Sequence, residues 1–296
     1  MIGTEKRIRI KTHPHFGDNL ACTGAVRNVK AAYPGYRFIC PDDHRELWYN
    51  NRDAEQEGDA DVELYLKYGP VSVERFAGNG NMVDGFTKIL CDGLGIEQVQ
   101  HVTRRPVLIL TDEEKEASRA WNGRWLINTN CQVGSLSKGY PHWQEVADAL
   151  AADGFDLVQV GGNDSRDISV SLRGVEDRRG KTSKRDFIVM VYGCRGVLSP
   201  PSAITNVAGA FDKPQVVVAA SREAFGMTDY VNAVHVGHKH GCGFGVDTGC
   251  VCLGLGNRQC PFMVCDNTGR PWCPCQIATP AGAVIQAAHK AAELAV

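Results

Sequence analysis

The sequence predicts an α/β protein in two halves, and three observations carry that expectation. The chain opens with a strand, a Gly-containing loop, a helix and a second strand, which is a βαβ unit and implies a parallel sheet. A second set of strand-helix alternations begins after Asn122-Gly123. Near its end lies Val197 to Val218, which packs a short strand, a Pro/Ser turn, a helix and an apolar strand into 22 residues.

The first strand is Arg7 to Lys11, where Ile8 and Ile10 alternate with charged residues. The loop His13-Pro14-His15-Phe16-Gly17-Asp18-Asn19 leads into a helix whose Cys22, Ala25, Val26 and Val29 recur at i, i+3, i+4 and i+7. That helix ends near Tyr33-Pro34-Gly35, and Tyr36 to Cys40 is the next strand. Val62 to Tyr68 has the composition of another strand, and Val107 to Leu110 reads as one too. Thr111 and the acids after it are a helix N-terminus. Trp125 to Asn128 is a strand, Trp143, Val146, Ala147 and Leu150 form one helical face, and Leu157 to Val160 is a strand stopping at Gly161-Gly162. Ser183 and Asp186 have capping-box spacing. In the last unit the prolines of Ser199-Pro200-Pro201-Ser202 delay the helix until Ala203, and Gln215 to Ala219 is a buried strand. Thr279-Pro280 starts a terminal helix, expected over 280–295, on Val284, Ala287, Ala288 and Ala291. The halves are therefore placed at 1–122 and 123–296.

The chain of 296 residues, 43% apolar and 22% charged with a net charge of -2, fits a globular protein with no general attraction to nucleic acid or acidic lipid. No apolar run approaches the roughly 20 residues of a membrane span, and the N-terminus lacks an apolar leader, so a cytoplasmic location is expected. No GxxxxGK[ST], no GxGxxG after the first strand and no GxSxG are present, which disfavours P-loop hydrolases, dinucleotide oxidoreductases and serine hydrolases.

Open α/β sheets bind ligands at the carboxyl ends of their strands. In the second half those ends are Asn128 to Lys138, Gly161 to Asp164 and Pro201 to Thr205. Lys138 can meet a phosphate as a point charge, and the helix starting at Ala203 offers free N–H groups beside Ser202. In the first half Asp18 follows a glycine at the strand-to-helix turn, where it can serve as a general base or simply cap the helix. His13 and His15 can bind substrate or line a turn.

The run His15-Phe16-Gly17-Asp18-Asn19-Leu20, with Ala25-Val26-Arg27 and Tyr33-Pro34-Gly35, resembles the opening of glycosyltransferase family 9, the heptosyltransferase-like proteins. Lys138-Gly139-Tyr140-Pro141-His142-Trp143 with Val146 and Leu150 resembles their second landmark. Gly161-Gly162 and Asn206-Val207-Ala208-Gly209-Ala210-Phe211 with Pro214 resemble their third. The resemblance implies a GT-B architecture, two Rossmann-like domains facing across a cleft with a C-terminal closing helix. It implies inverting, metal-independent transfer of a sugar from a nucleotide-diphosphate donor in the second half to a hydroxyl acceptor in the first. Carried over, Asp18 is the base, with His13, His15, Phe16 and Gly17 beside the acceptor. Lys138, Gly161, Gly162, Ser202, Ala203, Ile204, Thr205 and Asn206 hold the donor. The family's D-T-G-P-M-H is altered here, since Pro201 replaces its aspartate and Asn206 its histidine. That form is similar to divergent phage and environmental members, which leaves a saccharide and a hydroxymethylated base in DNA both open as acceptors. A nucleotide-sugar epimerase and a non-catalytic, zinc-stabilised binding module of the same fold are the alternatives.

Of 12 cysteines, seven crowd into 242–275 as Cys242-x7-Cys250-x-Cys252 and Cys265-x7-Cys273-x-Cys275, with Cys260 between. Two like half-sites imply one bound object, and a structural zinc is expected, with disulfides, free thiols or an iron–sulfur cluster as alternatives.

Overall fold

The computed structural model describes residues 6–12, 15–66, 81–132, 138–162, 167–219, 225–237, 263–267 and 269–294. Strands β1 (Arg7–Thr12), β2 (Arg37–Ile39), β3 (Ala54–Glu55) and β4 (Val62–Leu66) form a parallel sheet of order β3-β2-β1-β4, with helix α1 (Phe16–Ala32) between β1 and β2. Alternation in β1 sets the two faces of this sheet. Ile8 and Ile10 are fully buried, while Arg7 pairs with Glu55 at 3.1 Å and Lys11 with Glu63 at 2.5 Å.

Helices α2 (Met82–Leu94) and α3 (Asp112–Ser118) follow, each opened by a capping box, at Asn81 with Asp84 and at Thr111 with Glu114. The expected strand at Val107 to Leu110 is not one. The segment is extended and half-buried, but its partners are side chains: Val107 N–H donates to Thr23 Oγ1 at 2.8 Å, and the Ile109 carbonyl accepts from Arg185.

The second half holds β5 (Trp125–Asn128), β6 (Cys131–Gln132), α4 (Trp143–Ala152), β7 (Leu157–Val160), β8 (Asp167–Ile168), β9 (Glu176–Asp177), α5 (Lys184–Gly193), β10 (Gly196–Ser199), α6 (Ala203–Ala210), β11 (Gln215–Ala219) and β12 (Ala233–Gly237). Six of these strands make a parallel sheet of order β12-β11-β10-β5-β7-β9, and β6 and β8 pair separately as a short antiparallel ribbon. Strands β5, β7, β10 and β11 are buried along their whole length, as a parallel sheet covered on both faces requires. On one face Leu126, Val158 and Val197 join α1, α5 and α6 in a core that runs on into the first half through Ile8, Leu20 and Phe86. On the other, Trp125, Ile127, Leu198 and Val216 pack with Trp143 and Leu150 of α4.

Strands β13 (Val264–Cys265) and β14 (Pro271–Trp272), helix α7 (Pro274–Ile277) and helix α8 (Ala281–Glu293) end the described chain. The buried stripe of α8 is Val284, Ala287, Ala288 and Ala291, as its spacing predicts, and it lies on α4, β11 and β12 of the second half. Pro280 is the residue preceding the first turn, not its first member, and Thr279 Oγ1 donates to the Cys275 carbonyl at 2.9 Å. No helix among the described residues is long and apolar enough to cross a membrane.

Candidate active site

The carboxyl end of β1 and the carboxyl ends of β5, β7 and β10 point to one junction between the halves. The first turn of α1 supplies one wall. His15 occupies the N-cap and its carbonyl accepts from Asp18 N–H at 3.1 Å, but no side chain caps this helix. Asp18 sits two residues inside the helix and is only 7% exposed, so the capping alternative does not account for it. Burial raises its carboxyl to a pKa of about 7, opposed by the positive charge of Lys138. One turn further on, the Cys22 thiol is pushed up by its own burial and then by Asp18.

Lys138 stands on the second half, and its Nζ donates to the Pro201 carbonyl at 3.1 Å, inside the proline turn. This lysine is therefore built into the site and is not a solvated loop residue. The turn itself is tied down by hydroxyls: Ser199 Oγ and Ser202 Oγ lie 2.8 Å apart, and Asn128 Nδ2 donates to them at 3.3 and 3.1 Å. Ser202 and Thr205 form a capping box that serves the third N–H of the helix, and the N–H groups of Ala203 and Ile204 have no protein acceptor among the described residues. A helix start with open N–H groups beside a lysine is an anion site in the making. Thr205 turns its hydroxyl back to the Ser202 carbonyl at 2.6 Å, which stiffens the first turn.

The floor of this side is Gly161, at φ +138°, where any Cβ would fall 2.8 Å from Asn130 Nδ2 and 2.9 Å from Asn128 Oδ1. Only glycine satisfies both the backbone and the close approach. Gly162 accepts from Asn130 Nδ2 at 2.7 Å, whereas Asn130 Oδ1 is buried with no hydrogen-bond partner among the described residues. Thr12 Oγ1, at the end of β1, is buried and has none among the described residues either. Both atoms lie at the carboxyl side of their strands, where a bound molecule could satisfy them.

The remaining expected residues fall as follows. Gly17 packs against α6, with Asn206 Nδ2 and Ala203 its nearest neighbours across the junction. Phe16 sits with its ring edge-on to His44, centroids 5.4 Å apart, and tilted against Phe187 at 6.5 Å, so it joins the halves. Asn206 is 3% exposed and bonded to Tyr230 and Gly17. His13 lies outside the described residues, as do Cys242, Cys250, Cys252 and Cys260. Cys273 and Cys275 are buried with sulfurs 3.2 Å apart, whereas Cys265 is exposed. No group of three or more His, Cys, Asp or Glu able to hold a metal occurs among the described residues.

No family model matches the chain, and no curated protein sequence does. Solved structures do. Escherichia coli ADP-heptose lipopolysaccharide heptosyltransferase II superposes with a TM-score of 0.63 at 13% identity, over 98% of this chain and 99% of its own. The glycosyl transferase family 9 protein of Veillonella parvula gives 0.65 at 12%, over 99% of both chains. The chain has the GT-B fold. A third GT-B relative in structure, the iron-containing dodecameric glycosyltransferase TibC of enterotoxigenic E. coli, gives 0.66 at 14%, over 99% of this chain and 78% of that one. In GT-B terms, the two parallel sheets are the Rossmann-like units.

Proposed function

We propose that the chain is an inverting glycosyltransferase that takes a sugar from a nucleotide-diphosphate donor held by the second half, 123–296, and passes it to a hydroxyl of an acceptor held by the first, 1–122. The observation that carries this reading is the packing of Gly17, next to Asp18, from the first half against Ala203 and Asn206 at the start of α6, beside the proline turn that Lys138 holds. The heptosyltransferase-like structural neighbours support it from outside the chain.

The chemistry follows from the residues. The Asp18 carboxylate accepts the proton of the acceptor hydroxyl as its oxygen attacks the anomeric carbon from the side opposite the diphosphate. The bond to the diphosphate breaks with inversion. The charge that collects on the leaving phosphate is met by the Lys138 ammonium and the open N–H groups of Ala203 and Ile204, already in place. Gly161, Gly162 and Ser202 keep the backbone low enough for the donor to lie across the strand ends. A saccharide is our choice of acceptor over a hydroxymethylated DNA base, because a net charge of -2 gives no general attraction to a duplex. A cytoplasmic location suits a nucleotide-sugar donor.

The Cys-rich segment fits a metal held for structure. Cys273 and Cys275 bring two buried sulfurs within 3.2 Å of each other, and two thiolates are half of a four-sulfur shell. Zinc is our assignment; the iron-containing neighbour makes iron the competing occupant. The decisive experiment for the function is incubation with ADP-, UDP-, GDP- and CDP-sugars, with saccharide or hydroxymethylated DNA present. Release of nucleoside diphosphate only when an acceptor is supplied supports the proposal. Rearrangement of the sugar with no acceptor makes the protein an epimerase, and binding without turnover makes it a binding module.

A further inference from the structure

Every polar atom of the Asn206 side chain is engaged inside the protein. Its Oδ1 accepts from the Tyr230 hydroxyl at 2.7 Å. The Gly17 carbonyl can only accept, so it fixes which way round the amide lies: Nδ2 faces the other half, donating to that carbonyl at 3.4 Å and towards Met82 Sδ at 3.6 Å, while Tyr230 holds Oδ1 in this orientation. Tyr230 is held in its turn. It is buried, and its ring lies on Gly209 so closely that a Cβ there would fall 2.5 Å from ring atoms. Burial, then the Asp84 carboxylate, keeps its phenol above the ordinary range, so the hydroxyl keeps the proton it donates. The chain Tyr230 to Asn206 to Gly17 thus runs from the second half to the backbone of the residue directly before Asp18.

We infer that Asn206, oriented by Tyr230, is a positioning residue that clamps the first turn of α1 onto α6 and so keeps Asp18 in the closed junction facing Lys138. This rests on the reading of Asp18 as the base. The clamp also turns Asn206 away from the donor contacts, because its amide is buried and faces Gly17 of the other half. Lys138 across the junction and Cys22 on the same helix are the titratable groups coupled to Asp18. Neither is touched by a change at position 230.

The test compares wild type with Tyr230→Phe and Asn206→Ala. Tyr230→Phe keeps the ring on Gly209 and deletes only the bond that orients the amide, so it serves even where Asn206→Ala does not fold. Carbon-13 NMR follows the Asp18 carboxyl through a pH titration, and calorimetry measures binding of whichever of ADP, UDP, GDP or CDP the wild type binds. A loosened clamp admits water to Asp18, so its midpoint is expected to fall by about one unit or more towards the ordinary carboxylate value. In the same variants kcat is expected to fall about tenfold while nucleotide affinity stays within about twofold. A lower melting temperature with an unmoved midpoint and unchanged kcat would make the network a structural tie and overturn the inference. Loss of nucleotide affinity with the midpoint unmoved would overturn it by making Asn206 a donor contact. Should the wild type transfer no sugar, a shifted midpoint still supports the clamp while the transferase reading falls on its own.

Discussion

Replacing Asp18 by asparagine should make the protein more stable and less active, and the size of both effects follows from its burial. The carboxyl has an ordinary value of 3.8 and is raised to about 7 in the folded chain. The folded state therefore binds the proton more tightly than the unfolded state does. Stability is full below about pH 4, is lost progressively as pH rises from there to 7, and stays at the lower level above 7. Three units at about 1.4 kcal/mol each set the cost of ionising Asp18 in place at about 4 kcal/mol. Asparagine has nearly the same shape and cannot ionise. Allowing for the amide's own burial, Asp18→Asn should gain about 2 to 4 kcal/mol over wild type at pH 8 and almost nothing at pH 4. Turnover should drop roughly 10²- to 10⁴-fold, the usual worth of a general base, and the wild-type kcat/KM should rise with pH to a plateau above about 7. Urea denaturation at pH 4, 6 and 8 measures the first effect and initial rates the second. A variant that is less stable than wild type at pH 8 yet turns over normally would refute the reasoning, because Asp18 would then be holding the helix and not serving the reaction.

Lys138→Ala should weaken nucleotide-donor binding by about 1 to 3 kcal/mol in calorimetry, and equal affinity would return the lysine to a purely structural tie with Pro201. Gly161→Ala should cost at least about 1 kcal/mol in stability and reduce donor affinity too, since its φ of +138° and the 2.8 Å approach of Asn130 both oppose a methyl group; thermal melts with and without nucleotide separate the two losses. Cys273→Ser and Cys275→Ser should each lower the metal content found by elemental analysis together with the melting temperature, whereas unaltered metal content would place the ions on other ligands.

Much of the fold was legible because its strands and helices repeat at the periods of two and 3.6 residues that burial imposes. Ile8 and Ile10 and the Val284 to Ala291 stripe lie where those periods put them, and Leu157 to Val160 is buried at every position because its sheet is covered on both faces. Val107 to Leu110 shows where the rule stops. Its Leu108 and Leu110 are buried and its alternation is that of a strand, but Thr23 and Arg185 take the backbone groups that a neighbouring strand would have taken. Periodicity reports that a segment is extended and half-buried; it does not report which groups answer its N–H and C=O.

The candidate site divides along the same line. Gly17-Asp18, Lys138, Gly161-Gly162 and the Pro200-Pro201 turn could be singled out because each falls in the segment that follows a predicted strand, a local property. Tyr230 could not, since it follows the point where the pattern breaks into Gly- and Cys-rich sequence, and its bond to Asn206 spans 24 positions. Asn128 and Ser199 escaped for a related reason: both are strand-end residues of ordinary type, joined only when β5 and β10 pair, 71 positions apart. Asn206 is the instructive case. In sequence it occupies a donor-loop position, where a polar side chain is naturally assigned to ligand; in the fold it faces Gly17, 189 positions away, on the other side of the junction. The local position of a polar residue gives the element on which it stands. Which face of the element it leaves by, and so whether it meets the ligand or the other half of the protein, is decided by packing that only the assembled sheets supply.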